Sequence, residues 1–132
     1  MTITIADARR ITAAAETHAD EIGQPMNIAI VHAGGNLVSH VRQDAAWIGS
    51  IEISISKAWT SRALDISTKD LGDNSQPAQQ FFGIHTTNHG RVAIFAGGVP
   101  LKRDSVVIGA IGVSGGSGEQ DHSVAEAGAA AL

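Results

Sequence analysis

MNIAIVHAGGNLVSHVR, residues 26–42, reads as two β-strands, Met26 to His32 and Leu37 to Arg42, joined by Ala33, Gly34, Gly35 and Asn36. Apolar runs on either side of a Gly-Gly-Asn turn are the pattern of a hairpin, because glycine reaches the positive φ angles that a tight turn needs. A hairpin commits this part of the chain to an antiparallel sheet. Upstream, Thr4, Ile5, Ala6 and Asp7 form a threonine-x-x-acid start signal, and Ala8, Ile11, Ala15, His18 and Ile22 then recur at helical spacing until Gly23 and Pro25 stop the pattern.

Downstream the period is mixed. Ile51, Ile53 and Ile55 alternate with Glu52, Ser54 and Ser56 as in a strand, whereas Ile48, Ile51, Ile55, Trp59 and Arg62 keep helical spacing. Length decides for a helix from Ile48 to about Leu64, since no Gly or Pro follows Gly49 in it. Ser67 to Gln80 is polar and reads as a surface connection with at most one helical turn and few core residues. Arg91 to Phe95, Val99 to Leu101 and Val106 to Val113 read as strands of a meander, with turns at Gly97-Gly98 and at Lys102 to Ser105. After the Ser-Gly-rich segment 114–118 a last helix starts near Glu119, with Val124, Ala127, Gly128 and Leu132 as core candidates. Helix, hairpin, helix, meander, helix is the order of a single α/β sandwich domain.

Composition narrows the class. The 132 residues are 43% hydrophobic but only 4% aromatic, so the core is built from small side chains. Lys+Arg 9 against Asp+Glu 13, a formal charge of −4, supplies no basic field for nucleic acid. No apolar run is long enough to cross a bilayer. There is no cysteine, and MTITIADARR lacks the apolar core of a secretory signal, which makes cytoplasmic the default expectation.

Chemistry then falls to the 6 histidines. His18 lies on the apolar stripe of the first helix, where a ring needs a partner: it reads either as a core-edge histidine bonded to a backbone carbonyl or as a ligand. His32 and His40 fall on opposite faces of the hairpin and should not share a metal. His85 and His89 are four apart, but Gly83, Asn88 and Gly90 oppose a regular helix there, and no third zinc ligand is evident. Asp121 and His122 sit in the first turn of the last helix, where the acid complements the dipole. Gly109 to Gly118 resembles an anion cradle in outline but lacks the Lys-Ser pair of a P-loop. Glycines inside a strand mark a place where a ligand or another backbone comes close.

N-I-A-I-V-H-A-G-G-N-L-V from Asn27, R-x-D-x-A from Arg42 to Ala46, K-A-W-T from Lys57, G-G-V-P-L from Gly97 and G-A-I-G-V-S-G-G from Gly109 together resemble the GlcG/HbpS haem-binding family. The resemblance spans nearly the whole chain. It implies an antiparallel five-stranded sheet flanked by helices, a profilin-like three-layer α-β-α sandwich, and dimers assembled into an octamer. It implies haem as cofactor in some members, with His18 at the place of the axial iron ligand. Arg42 and Lys57 match basic positions of the family and would pair with haem propionates or a substrate carboxylate; an inter-helix or subunit salt bridge is the alternative for both. Where many relatives carry an acid, this chain has His32, so an acid-dependent role does not carry over to that position.

The leading expectation is therefore a homo-oligomeric haem-binding protein with His18 on the iron, the resemblance leaving haem handling or degradation open as its role. An enzyme acting on a small hydroxy-acid or carbonyl metabolite is the second, with His85, His89 or His32 moving a proton and Arg42 or Lys57 holding a carboxylate. A structural accessory oligomer is the third.

Overall fold

The computed structural model describes all residues, 1–132. Helix α1, Ile5–Glu21, begins at the expected signal: Thr4 Oγ1 accepts from the Asp7 N–H at 3.1 Å, and the Asp7 carboxylate accepts from the Thr4 N–H at 3.0 Å. Asp7 also receives Arg10 at 2.9 Å and Arg103 at 3.3 Å. The Thr4 N–H and then Arg10 hold its carboxyl well below the usual carboxylate range. Strands β1, Asn27–His32, and β2, Leu37–Arg42, form the hairpin, with Gly35 at φ 80° in the turn and a bulge opposite Ile30 and Val31.

Helix α2, Gly49–Leu64, confirms the decision for helix, but its buried face is not the isoleucine stripe. Ser50, Ser54, Lys57, Ala58, Thr60 and Ser61 are buried, whereas Ile48 is 75% exposed. The reason lies in the facing strand. A Cβ at Gly112 would overlap the backbone of Ser54 and Ala58, so α2 rests directly on the sheet and only small side chains fit between them. These glycines thus serve close backbone approach: Gly109 in the strand and Gly115 just beyond it likewise leave no room for a Cβ, against the carbonyls of Val31 and Pro25.

Two expectations are corrected. Ser67 to Gln80 contains a six-residue helix, α3 (Thr68–Asp73), that buries Thr68, Leu71 and Gly72, with Ser75 buried just beyond it. Its single apolar side chain left no periodicity to detect. Arg91 to Phe95 is not a strand, so the sheet has four strands rather than five. Val92 and Ala93 are buried, but this segment docks on helices instead of a sheet edge: the Ala93 N–H donates to Thr60 Oγ1 at 3.0 Å, and the Ile94 carbonyl lies against Gly72. An apolar run reports burial, not pairing.

Strands β3, Gly98–Arg103, and β4, Val106–Ser114, meet at a two-residue turn in which Asp104 (φ 52°) and Ser105 (φ 65°) are both left-handed. The sheet is antiparallel with order β2-β1-β4-β3. Helix α4, Gly118–Ala129, is capped reciprocally by Ser117 and Gln120. Ile28, Ile30, Ile111 and Val113 pack with Ile11, Ala15 and Val124 beneath α1 and α4; Ala29, Val31 and Ala110 face Ala58 of α2 on the other side. The result is three layers. None of the helices is long and apolar enough to cross a membrane.

Candidate functional site

His18 stands near the end of α1 with its side chain 31% exposed. Its Nδ1 lies 3.3 Å from the Glu21 carboxylate one turn on, rather than against the backbone carbonyl that a core-edge ring would use, and its Nε2 makes no hydrogen bond within the chain. A carboxylate on one ring nitrogen fixes the ring's orientation and leaves the other nitrogen's lone pair directed outward, the arrangement found behind metal-bound imidazoles.

Arg42 lies elsewhere. Its Nε donates to the Ala46 carbonyl at 3.0 Å, and it lines a cavity of about 560 Å³ with Glu16, Asp20 and Asp44. Glu16 and Asp20 are four apart on α1, whereas His18 falls between them in sequence and so on the opposite flank of the helix. Three carboxylates and no histidine share that cavity with Arg42.

Lys57 is fully buried. Its Nζ donates to Asp121 Oδ2 at 2.8 Å and to the Val113 carbonyl at 2.9 Å, and it faces the Phe95 ring at 4.6 Å from the centroid. Asp121 Oδ1 accepts from the Gly116 N–H at 2.9 Å. The bond ties α2 on one side of the sheet to α4 on the other, past Gly97, whose φ of 132° and missing Cβ leave room for the lysine stem. Burial pushes the Lys57 ammonium down and the Asp121 carboxyl up, each resisted by the partner's charge. The inter-helix salt bridge, one of the two readings of Lys57, is thus present, and its partner went unnoticed: an acid in a first helical turn is adequately explained by the dipole. His18, Arg42 and Lys57 do not converge within one chain.

The remaining histidines are dispersed. His40 pairs with Ala29 and so faces α2, while alternation puts His32 on the other face, as expected from the hairpin. Burial lowers the His40 pKa, and its Nε2 has no partner. The His32 Nδ1 accepts from the Gly34 N–H at 2.7 Å. His85 and His89 lie on separate 3-10 turns, Ile84–Thr86 and Asn88–Gly90, with Phe82 edge-on to His85. His122 is 3.2 Å from Glu126. Nowhere do three His, Asp or Glu side chains come close enough to hold a metal ion.

A second surface lies along the outside of α2. Glu52, Ser56 and Trp59 form one wall of a cavity of about 590 Å³, and Asn88, His89, Gly90 and Arg91 form the other. The Arg91 guanidinium stacks on the Trp59 ring, 4.4 Å from the centroid.

Fold and surface together define a small three-layer α/β protein that presents one carboxylate-oriented histidine on its first helix. The family model described as haem degrading protein HbpS-like matches residues 3–130, and the chain belongs to that family. The HbpS part of the sequence resemblance is thereby borne out. An uncharacterized 15.0 kDa protein of the dhaT-dhaS intergenic region of Citrobacter freundii is 42% identical over 95% of this chain and 88% of its own. The corrinoid adenosyltransferase PduO of Salmonella typhimurium is 36% identical over 96% of this chain, which spans only 38% of that relative's length. The crystal structure of a PduOC:heme complex is 35% identical, with a TM-score of 0.95 over 100% of this chain and 96% of the other.

Proposed function

We propose that this protein binds haem, with His18 as the iron ligand, in a homo-oligomer. The observation that carries the reading is the His18 ring, held by Glu21 at Nδ1 and free at Nε2. The donor set fits haem better than a bare ion, since a porphyrin brings four nitrogens and asks one imidazole of the protein. Membership of the HbpS-like family and the likeness to a structure solved with heme support the same reading. When bound, the haem would supply a redox-active iron. Glu21 would keep the imidazole oriented. Arg42 of the same chain faces the other flank of α1, so a propionate contact from it would come from a second copy; Lys57, sealed against Asp121, would act on the fold.

Titration of apoprotein with hemin, followed at the Soret band, tests it. The parent is expected to give a saturable shifted band, His18→Ala to lose it, and Glu21→Gln to bind about tenfold more weakly. A parent spectrum identical to free hemin removes the haem reading, and undiminished binding by His18→Ala removes the ligand assignment.

A further inference from the structure

The cavity on the outer face of α2 lies on the opposite side of the sheet from α1 and contains none of the residues assigned to haem. Three features of it point to a ligand. Asn88, His89 and Gly90 are all left-handed, with φ of 50°, 58° and 74°; Asn and His enter this region more readily than most non-glycine residues, but three such residues in succession are uncommon. Successive residues in that region are costly and persist where surrounding structure holds them, most often at binding sites. The strained turn is what brings His89 and Arg91 over α2.

The second feature is Arg91 itself. Its guanidinium is held flat on Trp59, which is wedged from behind by the hairpin: a Cβ at Gly35 would stand 3.3 Å from the indole Cδ1. Although Glu52 lines the same cavity, Arg91 forms no ion pair, and no hydrogen bond within the chain uses its guanidinium. A stacked guanidinium has already lost most of its rotational freedom and presents its edge as a planar fork of donors, the geometry that matches a carboxylate. The third feature is the facing wall. Glu52 and Ser56 are four apart, so both project from one side of α2 as an acceptor and a hydroxyl. A second cavity of about 270 Å³ continues from the first and shares Glu52, Ser56, Gly90 and Arg91 with it, which places Arg91 at the junction.

We infer that this cleft binds a small hydroxycarboxylate, its carboxylate on Arg91 and its hydroxyl on Glu52 and Ser56. A volume of about 590 Å³ admits a small metabolite with room for water. Glu52 selects within the anions: it repels a phosphate dianion and rewards a ligand that carries a hydrogen-bond donor beside its single negative charge. The inference is of binding and stands independently of haem.

Trp59 provides the readout. The chain has 2 tryptophans, so Trp47→Phe leaves Trp59 alone to report, and calorimetry on the unaltered protein checks that the two give one midpoint. Titration with lactate is expected to change the Trp59 emission saturably. Arg91→Gln is expected to weaken binding about tenfold or more, and propionate, which has the same carbon chain without the hydroxyl, to bind several-fold more weakly than lactate. His18→Ala should leave the lactate midpoint unchanged. Absence of a saturable response to lactate in the unaltered protein overturns the inference, as does equal affinity in Arg91→Gln. Propionate binding as well as lactate overturns the role of Glu52 and Ser56. A lactate-silent parent whose mass in solution falls on Arg91→Gln would show that a second copy fills the cleft, and overturns the inference as well.

Discussion

At the scale of single residues, the most consequential group in this protein is Lys57. Its stem crosses the end of the sheet, and its ammonium ends on Asp121, a carbonyl and an aromatic ring, with its side chain fully buried and that of Asp121 3% exposed. Removing two charges from water costs several kcal/mol per ion, so such a pair contributes little net stability while being expensive to break. Asp121→Ala is therefore expected to destabilise the fold by about 3–5 kcal/mol, read from urea unfolding at neutral pH, because it strands a buried ammonium. The double variant Lys57→Met with Asp121→Ala should lose less than Asp121→Ala alone. Equal or greater loss in the double variant would mean that packing of the lysine stem, not charge pairing, governs the position.

Among the elements, the contact of α2 with β4 sets the geometry of both surfaces. Gly112 lets the helix backbone sit on the strand, and this close seat turns Trp59 and Glu52 outward toward the left-handed turn at 88–90. A methyl group at Gly112 must push α2 away or distort β4, so Gly112→Ala is expected to cost about 3 kcal/mol or more. Gly49 is the contrast. It opens the same helix with nothing within 4 Å of an added Cβ, and Gly49→Ala should stabilise by about 0.5–1 kcal/mol through helix propensity and a less flexible unfolded chain. Thermal or urea unfolding of the two variants side by side gives opposite signs if the close seat is real. Serine and alanine on α2 contradict the usual expectation that a helix buries its largest apolar residues, which is why its isoleucines misdirect a reading by periodicity.

For the whole molecule, large apolar side chains stand in solvent at several places: Ile48 at 75%, Trp47 at 65% and Phe82 at 62% exposure. Isolated exposed apolar residues are ordinary, but this chain has few aromatics, and four of its five are among its exposed hydrophobic side chains. This supports the homo-oligomer proposed above. Sedimentation is expected to give a multiple of the 13.6 kDa chain mass, and Ile48→Glu or Phe82→Ser to lower it. A single species near 13.6 kDa in the parent would refute the assembly. Such a result would also leave Arg42 without a route to a propionate.

How much of this was legible in the sequence follows from the range of each signal. The cap of α1 at Thr4 and Asp7, the hairpin turn at Gly35 and the cap of α4 at Ser117 each depend on residues within four positions, and each is readable from local chemistry. The layered antiparallel fold follows from their order, and the family from five short motifs in sequence. His18 was readable as a residue that needs a partner; that the partner is Glu21, leaving Nε2 free, required the helix to be in place. Tertiary structure alone decided that Arg91 to Phe95 docks on helices and not on a strand, that Lys57 meets Asp121 across 64 positions, and that Arg91 stacks on Trp59 beside a strained turn. These depend on which surfaces the fold brings together, and a chain carries no local mark of a neighbour it meets only after folding.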